Sequence, residues 1–253
     1  MSSTSVAAAV LACVAGGAAL GAALRKVLPP HHLGEEARDV VKLAAGIVAT
    51  LAAMVLGLLV ASAKESFDAK RAGVETLAAD VVAFDRLLAR YGPETGPARD
   101  LLRRTVAARI AETWPDGGRA GAAPDVTWGA GVLETIQHEL AGLSPATPEQ
   151  AWLRTRALEK SEDLSQTRWA LLVQWDSALS TPFLAVLAFW LCLVFACAGL
   201  LAPPSGTVRA VLLAAALAVS STVFLLLEMD RPYGGLISVS GAPLRAALGQ
   251  LGR

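Results

Sequence analysis

Residues 43–63 read LAAGIVATLAAMVLGLLVASA, bounded by Lys42 on one side and Lys64 on the other. A helix rises about 1.5 Å per residue, and the hydrocarbon core of a bilayer is about 30 Å thick, so an uncharged run of this length spans it. Three more such runs occur, at 6–24, 183–202 and 210–227. Polar or turn residues bound them: Arg25 and Lys26 after the first, Pro203 and Pro204 after the third, Glu228 and Asp230 after the fourth. Trp169, Trp175 and Trp190 cluster around the third, as interfacial aromatics do.

The composition agrees with four spans. The 253 residues are 54% hydrophobic and 17% charged, with a mean hydropathy of +0.50, too apolar and charge-poor for a soluble chain of this length. Formal net charge is +0, so the basic excess that drives nucleic-acid binding is missing. Cys13, Cys192 and Cys197 fall inside apolar runs without a CxxC or a His-rich neighbourhood, and read as small hydrophobes. The first run follows an uncharged 1–5 and precedes Arg25 and Lys26, the wrong order for a secretory leader, so it reads as a span.

Between the second and third runs the period changes. Val74, Leu77, Val81, Phe84, Leu88 and Tyr91 recur at steps of three or four, which predicts a helix continuing out of the second span and ending at Gly92-Pro93. Leu102, Val106 and Ile110 mark a second helix, ended by Trp114-Pro115. Residues 115–131 read as a loop, and Val132, Ile136, Leu140 and Leu143 as a short helix. Thr147-Pro148-Glu149-Gln150 is a helix start, with Thr as N-cap, Pro at the first helical position and Gln three after the cap. That helix is expected to run through Trp152, Leu164 and Trp169 to an interruption near Pro182. After the fourth span, Pro232 and Gly234-Gly235 predict a turn, and Leu244, Leu248 and Leu251 a short helix.

No nucleotide-binding, nucleophile-elbow, zinc-hydrolase or EF-hand pattern is present, so no enzyme activity, cofactor or resident metal is implied. Four features remain. Gly46, Thr50, Ala53 and Gly57, ending at Lys64, share one face of the second span, set against positions 48, 51, 55 and 58. Such a stripe lines a narrow ion pathway, or it is a small-xxx-small packing face like Gly17 and Gly21 in the first span. His31 and His32 beside Glu35 and Glu36 suit pH or metal sensing, or else a solvated loop. Phe84-Asp85-Arg86 with Tyr91-Gly92-Pro93-Glu94 reads as a helix terminus held by salt bridges, or a gate or subunit contact. Glu228 and Asp230 read as a cation site or as an interfacial cap paired with Arg231.

Three blocks carry a family likeness: LPPHHLGEEARDVVKLAAGIVATLAAMVLGLLVASAKESFD, FDRLLARYGPET and LEMDRPYGGLISVSGAPLRAALGQLG. Together they resemble the bacterial bestrophin-like domain family, over nearly the whole chain. The order of elements, two spans, a helical region and two spans, is in turn similar to that of the bestrophin channels. That resemblance implies a homopentamer with an anion-permeable axial pore lined by the second span, and cytoplasmic termini. Bestrophin pores narrow at apolar and aromatic side chains, whereas 43–63 contains no aromatic. Calcium-gated members carry a run of acids after the last span, where this chain has only Glu228 and Asp230, so a calcium-gated neck is not carried over.

The expected fold class is therefore an all-α integral membrane protein of the bacterial inner membrane. Its organisation would be a membrane hairpin (1–64), a cytoplasmic helical region (65–180), a second hairpin (181–229) and a cytoplasmic tail (230–253). An even span count puts both ends on one side; Lys and Arg near the span ends are almost balanced between the two sides. The expected function is an oligomeric ion channel, anion-permeable, whose partners are lipid, further copies of itself and small inorganic ions. The alternative is a non-conducting scaffold or sensor whose helical region binds a partner.

Overall fold

The apolar run at 43–63 and the amphipathic stripe that follows it form one unbroken helix. The computed structural model describes residues 3–29, 34–115, 130–173, 181–230 and 237–252. The described helices are α1 (Ser3–Val27), α2 (Glu35–Tyr91), α3 (Gly96–Thr113), α4 (Ala130–Gly142), α5 (Pro148–Val173), α6 (Thr181–Leu201), α7 (Gly206–Asp230) and α8 (Ala242–Leu248). There is no strand among the described residues, so the all-α expectation holds. Four helices, α1, α2, α6 and α7, are long and apolar enough to cross a membrane.

The chain divides into two units: Met1–Glu65 with Ala178–Asp230, and Ser66–Ser177 with Arg231–Arg253. In the first, α1 packs along α6 and α7. Val14, Ala52, Leu187, Leu191, Phe195 and Ala216 form one buried cluster, and Ala63, Val223, Leu226 and Leu227 another. Glycines allow the close approach. A Cβ at Gly21 would stand 1.9 Å from the Ala196 carbonyl oxygen, and one at Gly199 2.1 Å from that of Ala18. Both lie far inside van der Waals contact, so only glycine fits. The buried Ser220 hydroxyl donates to the Ala7 carbonyl at 2.8 Å, and the Arg25 guanidinium donates to the Ala202 carbonyl at the end of α6.

The second unit is a helical bundle with its own apolar core, to which α2, α3, α4, α5 and α8 all contribute. Every member of the predicted stripe from Val74 to Tyr91 is buried. Phe84 and Leu88 are fully enclosed, and each contributes roughly 1.5–3 kcal/mol by leaving water. α2 stops where the sequence says: Gly92 takes φ 141°, a backbone closed to side-chain-bearing residues, and Pro93 lacks an amide proton. The Thr95 hydroxyl then donates to the Leu88 carbonyl in the last turn at 2.6 Å. At the start of α5 the Gln150 amide donates to Thr147 Oγ1 at 3.1 Å, as a capping box requires. The return bond is displaced by one residue, Gln150 Oε1 accepting from the Ala146 amide at 2.8 Å, and Gln150 Nε2 donates to the Tyr91 carbonyl at 3.1 Å.

The end of the chain is part of this bundle. Leu244, Ala247 and Leu251 are buried in its core, and Trp114 Nε1 donates to the Val239 carbonyl at 2.8 Å. Gly241 lies beneath the same indole, where a Cβ would come within 2.6 Å of the ring.

Candidate pore-lining face of the second span

α2 is helical from its first polar turn because Glu35 and Glu36 sit at its N-terminus, where negative charge offsets the helix dipole. Both are exposed. His31 and His32, expected to join them, lie outside the described residues, as do Trp175, Arg231 and the turn at 232–235.

Within the membrane unit α2 has two unlike faces. Ala52, Leu56, Leu59 and Ala63 face the other helices. Gly46, Thr50, Ala53, Gly57 and Lys64 are all exposed, on the opposite side. The difference from Gly17 and Gly21 on α1 is quantitative: a Cβ at Gly46 or at Gly57 would meet nothing within 4 Å. Only 6% of the apolar window of α2 is buried, against 28% for α7. The five candidate residues therefore share one open surface, exposed among the described residues of the chain.

The open face is wider than the small-residue stripe. Leu43, Ile47, Leu51, Met54 and Leu58 are exposed as well, each close in sequence to a member of the stripe. Positions 51 and 58, expected on the covered side, are thus exposed, because the other helices cover only a narrow strip of α2. Where every side of a helix is apolar, the spacing of apolar residues points in no direction, so the sequence had no signal for them. Where Gly46 lacks a side chain, Lys42, Leu43, Ile47, Thr50 and Leu51 border a shallow open groove.

Two polar details set what this face offers. The Thr50 hydroxyl donates to the Gly46 carbonyl at 2.9 Å, so in this rotamer it presents only lone pairs outward and acts as an acceptor. Lys42 is paired with Asp39 at 3.0 Å, both well exposed. The pair is worth little in stability, yet it places a carboxylate beside the lysine at this end of the span. Lys64 is exposed at the other end of the span.

The remaining sequence candidates resolve as follows. Asp85 is buried and accepts from Arg99 Nε at 2.8 Å and Nη2 at 3.0 Å, a bidentate pair, with the Gly252 amide as a third donor at 3.3 Å. Its partner is thus on α3, not the adjacent Arg86, which is exposed. Hydrogen bonding to Asp85 raises the Arg99 pKa above the ordinary arginine value, against a smaller opposing effect of burial. A raised value means the contribution of Arg99's charge is complete below the ordinary arginine pKa and is lost only in strong alkali, so this guanidinium adds no pH dependence near neutrality. Glu228 and Asp230 are buried at the end of α7. Lys70 is also buried. Among the described residues no group of three or more His, Cys, Asp or Glu side chains is placed to hold a metal ion.

A bestrophin-like domain family model matches residues 12–244. No curated protein and no solved structure matches the chain. The match covers nearly all of the sequence, including most or all of each of the four membrane-spanning helices, and the chain is a multi-pass membrane protein that belongs to the bestrophin-like domain family.

Proposed function

We propose that the chain is the subunit of an oligomeric ion channel in which α2 from each copy contributes its open face to a central pore. The observation that carries this reading is the empty space over Gly46 and Gly57, in a protein whose Gly17 and Gly21 on α1 and Gly199 on α6 are closely packed. One helix cannot enclose a pathway, so the wall needs several copies around an axis; the resemblance to bestrophins makes five the expected number. Gly46, Thr50, Ala53 and Gly57 are the wall residues, with Lys64 at one mouth. The pore admits small inorganic ions. Its wall holds no carboxylate, and Lys42 and Lys64 near its two ends raise the local concentration of anions, which favours anions overall. Asp39 is paired with Lys42, so the preference is modest. The membrane is the bacterial inner membrane, with the helical region and both ends of the chain in the cytoplasm. His31 and His32 with Glu35 and Glu36 are placed near the Lys42 mouth by sequence, and make conduction pH-sensitive in the neutral range.

The test is ion flux from liposomes containing the purified protein, with subunit counting on the same preparation. Halide flux that is blocked by a thiol reagent attached at position 50 or 57 supports the reading. An oligomer that passes no ion at any pH or voltage overturns it in favour of a scaffold. The observation on that side is the exposed apolar surface of α5, Trp152, Trp169 and Val173, which suits a docked partner.

A further inference from the structure

The outer faces of the membrane-spanning helices are not alike. α6 turns Phe183, Val186, Phe189 and Leu193 outward, and α7 turns out Val211, Leu213, Leu217 and Leu225, large side chains that fill the space between acyl chains. The outer face of α1 carries a row of small residues, Ala8, Ala12, Gly16, Ala19 and Ala23, all exposed, on the far side of the helix from Gly17 and Gly21. A Cβ at Gly16 would meet nothing within 4 Å. Such a row offers lipid little to hold and lets another helix come close. On α2 the exposed Val40, Leu43, Ile47, Leu51, Met54 and Leu58 form the converse, a row of large side chains. With 3.6 residues per turn, this row lies about a quarter turn from the stripe of Gly46, Thr50, Ala53 and Gly57.

The two rows match in length and in depth. Residues 8–23 and 43–58 each extend about 22 Å, with the same steps of four, four, three and four. Ala52 shares a buried cluster with Val14, and Ala63 another with Val6 and Val10. The helices are thus antiparallel, and the rows lie level. Their ends are complementary in charge. Lys26 continues the α1 row three residues after Ala23, and Glu36 continues the α2 row four residues before Val40, at the same end of the two helices. Both are exposed, and neither has an ion-pair partner among the described residues.

We propose that the α2 row of one copy seats on the α1 row of the next, with Lys26 paired to Glu36 across the contact. The occupant of both faces is a second copy of this chain. The inference rests on the oligomer of the channel reading and says which surfaces build it. A rotation axis along the membrane normal keeps every residue at its own depth, so surfaces that meet around it must already lie level, as these do. With the small stripe of α2 turned to the axis, a face a quarter turn away points along the ring to the neighbouring copy. The contact is heterologous: each copy gives its α2 row to one neighbour and its α1 row to the other, so the ring closes and neither row is left to lipid. Large side chains enter the spaces above alanine and glycine, and van der Waals packing holds them there. The charged pair at the membrane surface sets which rows meet more than how tightly they bind.

The test is cross-linking between copies of the full chain in lipid vesicles, with Cys13, Cys192 and Cys197 replaced by Ser. Oxidation with copper phenanthroline of a chain carrying both Ile47→Cys and Ala19→Cys is expected to give a ladder of dimers and larger species that survives denaturation and collapses on reduction. Each substitution alone should leave monomer, and vesicles made from the two single variants mixed should stop at dimer. Monomer alone from the double variant, where subunit counting on the same vesicles finds an oligomer, overturns this interface and leaves the channel reading standing. A monomer by counting overturns both. Dimer from Ala19→Cys alone would put α1 against α1, and linkage of Ile47→Cys to Ala214→Cys but not to Ala19→Cys would make α7 the partner; either result overturns the proposal. A second measurement keeps the native cysteines. On the otherwise unaltered chain in detergent, Glu36→Lys and Lys26→Glu are each expected to lower the ratio of oligomer to monomer on dilution by up to about fivefold, the range set by exposed ion pairs, and together to restore it. A ratio that neither reversal lowers, or that the double reversal lowers further, overturns the contact.

Discussion

The first two membrane-spanning helices carry the same kind of sequence and do opposite things with it. In α1 the pair Gly17 and Gly21 lies against the backbone of α6, with no room for one more carbon. In α2 Gly46 and Gly57 face outward, with no neighbour for an added Cβ. A small-xxx-small spacing therefore marks a face that admits close approach, without saying what approaches. In α1 the occupant is another helix of the same protomer. In α2 it is something beyond the protomer, which under the channel reading is the pore and the neighbouring copies around it.

The largest effect that tests this contrast is on assembly. Gly21→Val drives a branched side chain into the Ala196 carbonyl, and is expected to cost about 3 kcal/mol or more, the upper end of ordinary overpacking. Gly57→Val, in the open face, should leave the thermal unfolding midpoint of the detergent-solubilised protomer nearly unchanged while cutting ion flux. Equal destabilisation by the two substitutions would erase the contrast.

Accessibility sharpens it at single-residue scale. On a background lacking Cys13, Cys192 and Cys197, cysteines at 46, 50, 53 and 57 should react with a water-soluble thiol reagent. Those at the covered positions 52, 56, 59 and 63 should not. Positions 47, 51, 54 and 58 are the informative set. If they react as fast as the small-residue row, water reaches the whole open face; if they are protected, lipid or another copy covers the large apolar row.

Smaller effects concern what the face offers an ion. Thr50→Val keeps the shape but removes the oxygen, and should change flux by a factor matching about 1 kcal/mol, the usual net worth of one hydrogen bond. Asp39→Asn frees Lys42 from its exposed partner. Such pairs are worth about 0.2–1 kcal/mol, so halide over cation permeability should rise by less than about sixfold. An unchanged ratio would show that this end of α2 does not meet the ion path.

Much of the architecture was legible because it rests on local chemistry. The end of α2 follows from Gly92 and Pro93, the start of α5 from Thr147 and Gln150, and the buried stripe from Val74 to Tyr91 from its spacing. What escaped is long-range. Asp85 chose Arg99 over its neighbour Arg86 because the turn at Gly92 folds α3 back along α2. The Trp114 bond to Val239 joins residues 125 apart, a pairing no periodicity encodes. The candidate face was legible in its residues but not in its breadth, since in a run where every position is apolar the large side chains carry no mark of which side they occupy.

The glycine contacts between α1 and α6 also set what the gene can tolerate. Every substitution of Gly17, Gly21 or Gly199 adds at least a Cβ, and each of those Cβ atoms would overlap backbone. These positions therefore have no neutral amino-acid replacement, and their invariance among relatives would record packing alone. Gly46 and Gly57 are under no such constraint from the protomer fold. If descendants of this sequence nevertheless keep glycine there, the selecting pressure comes from whatever occupies the space outside.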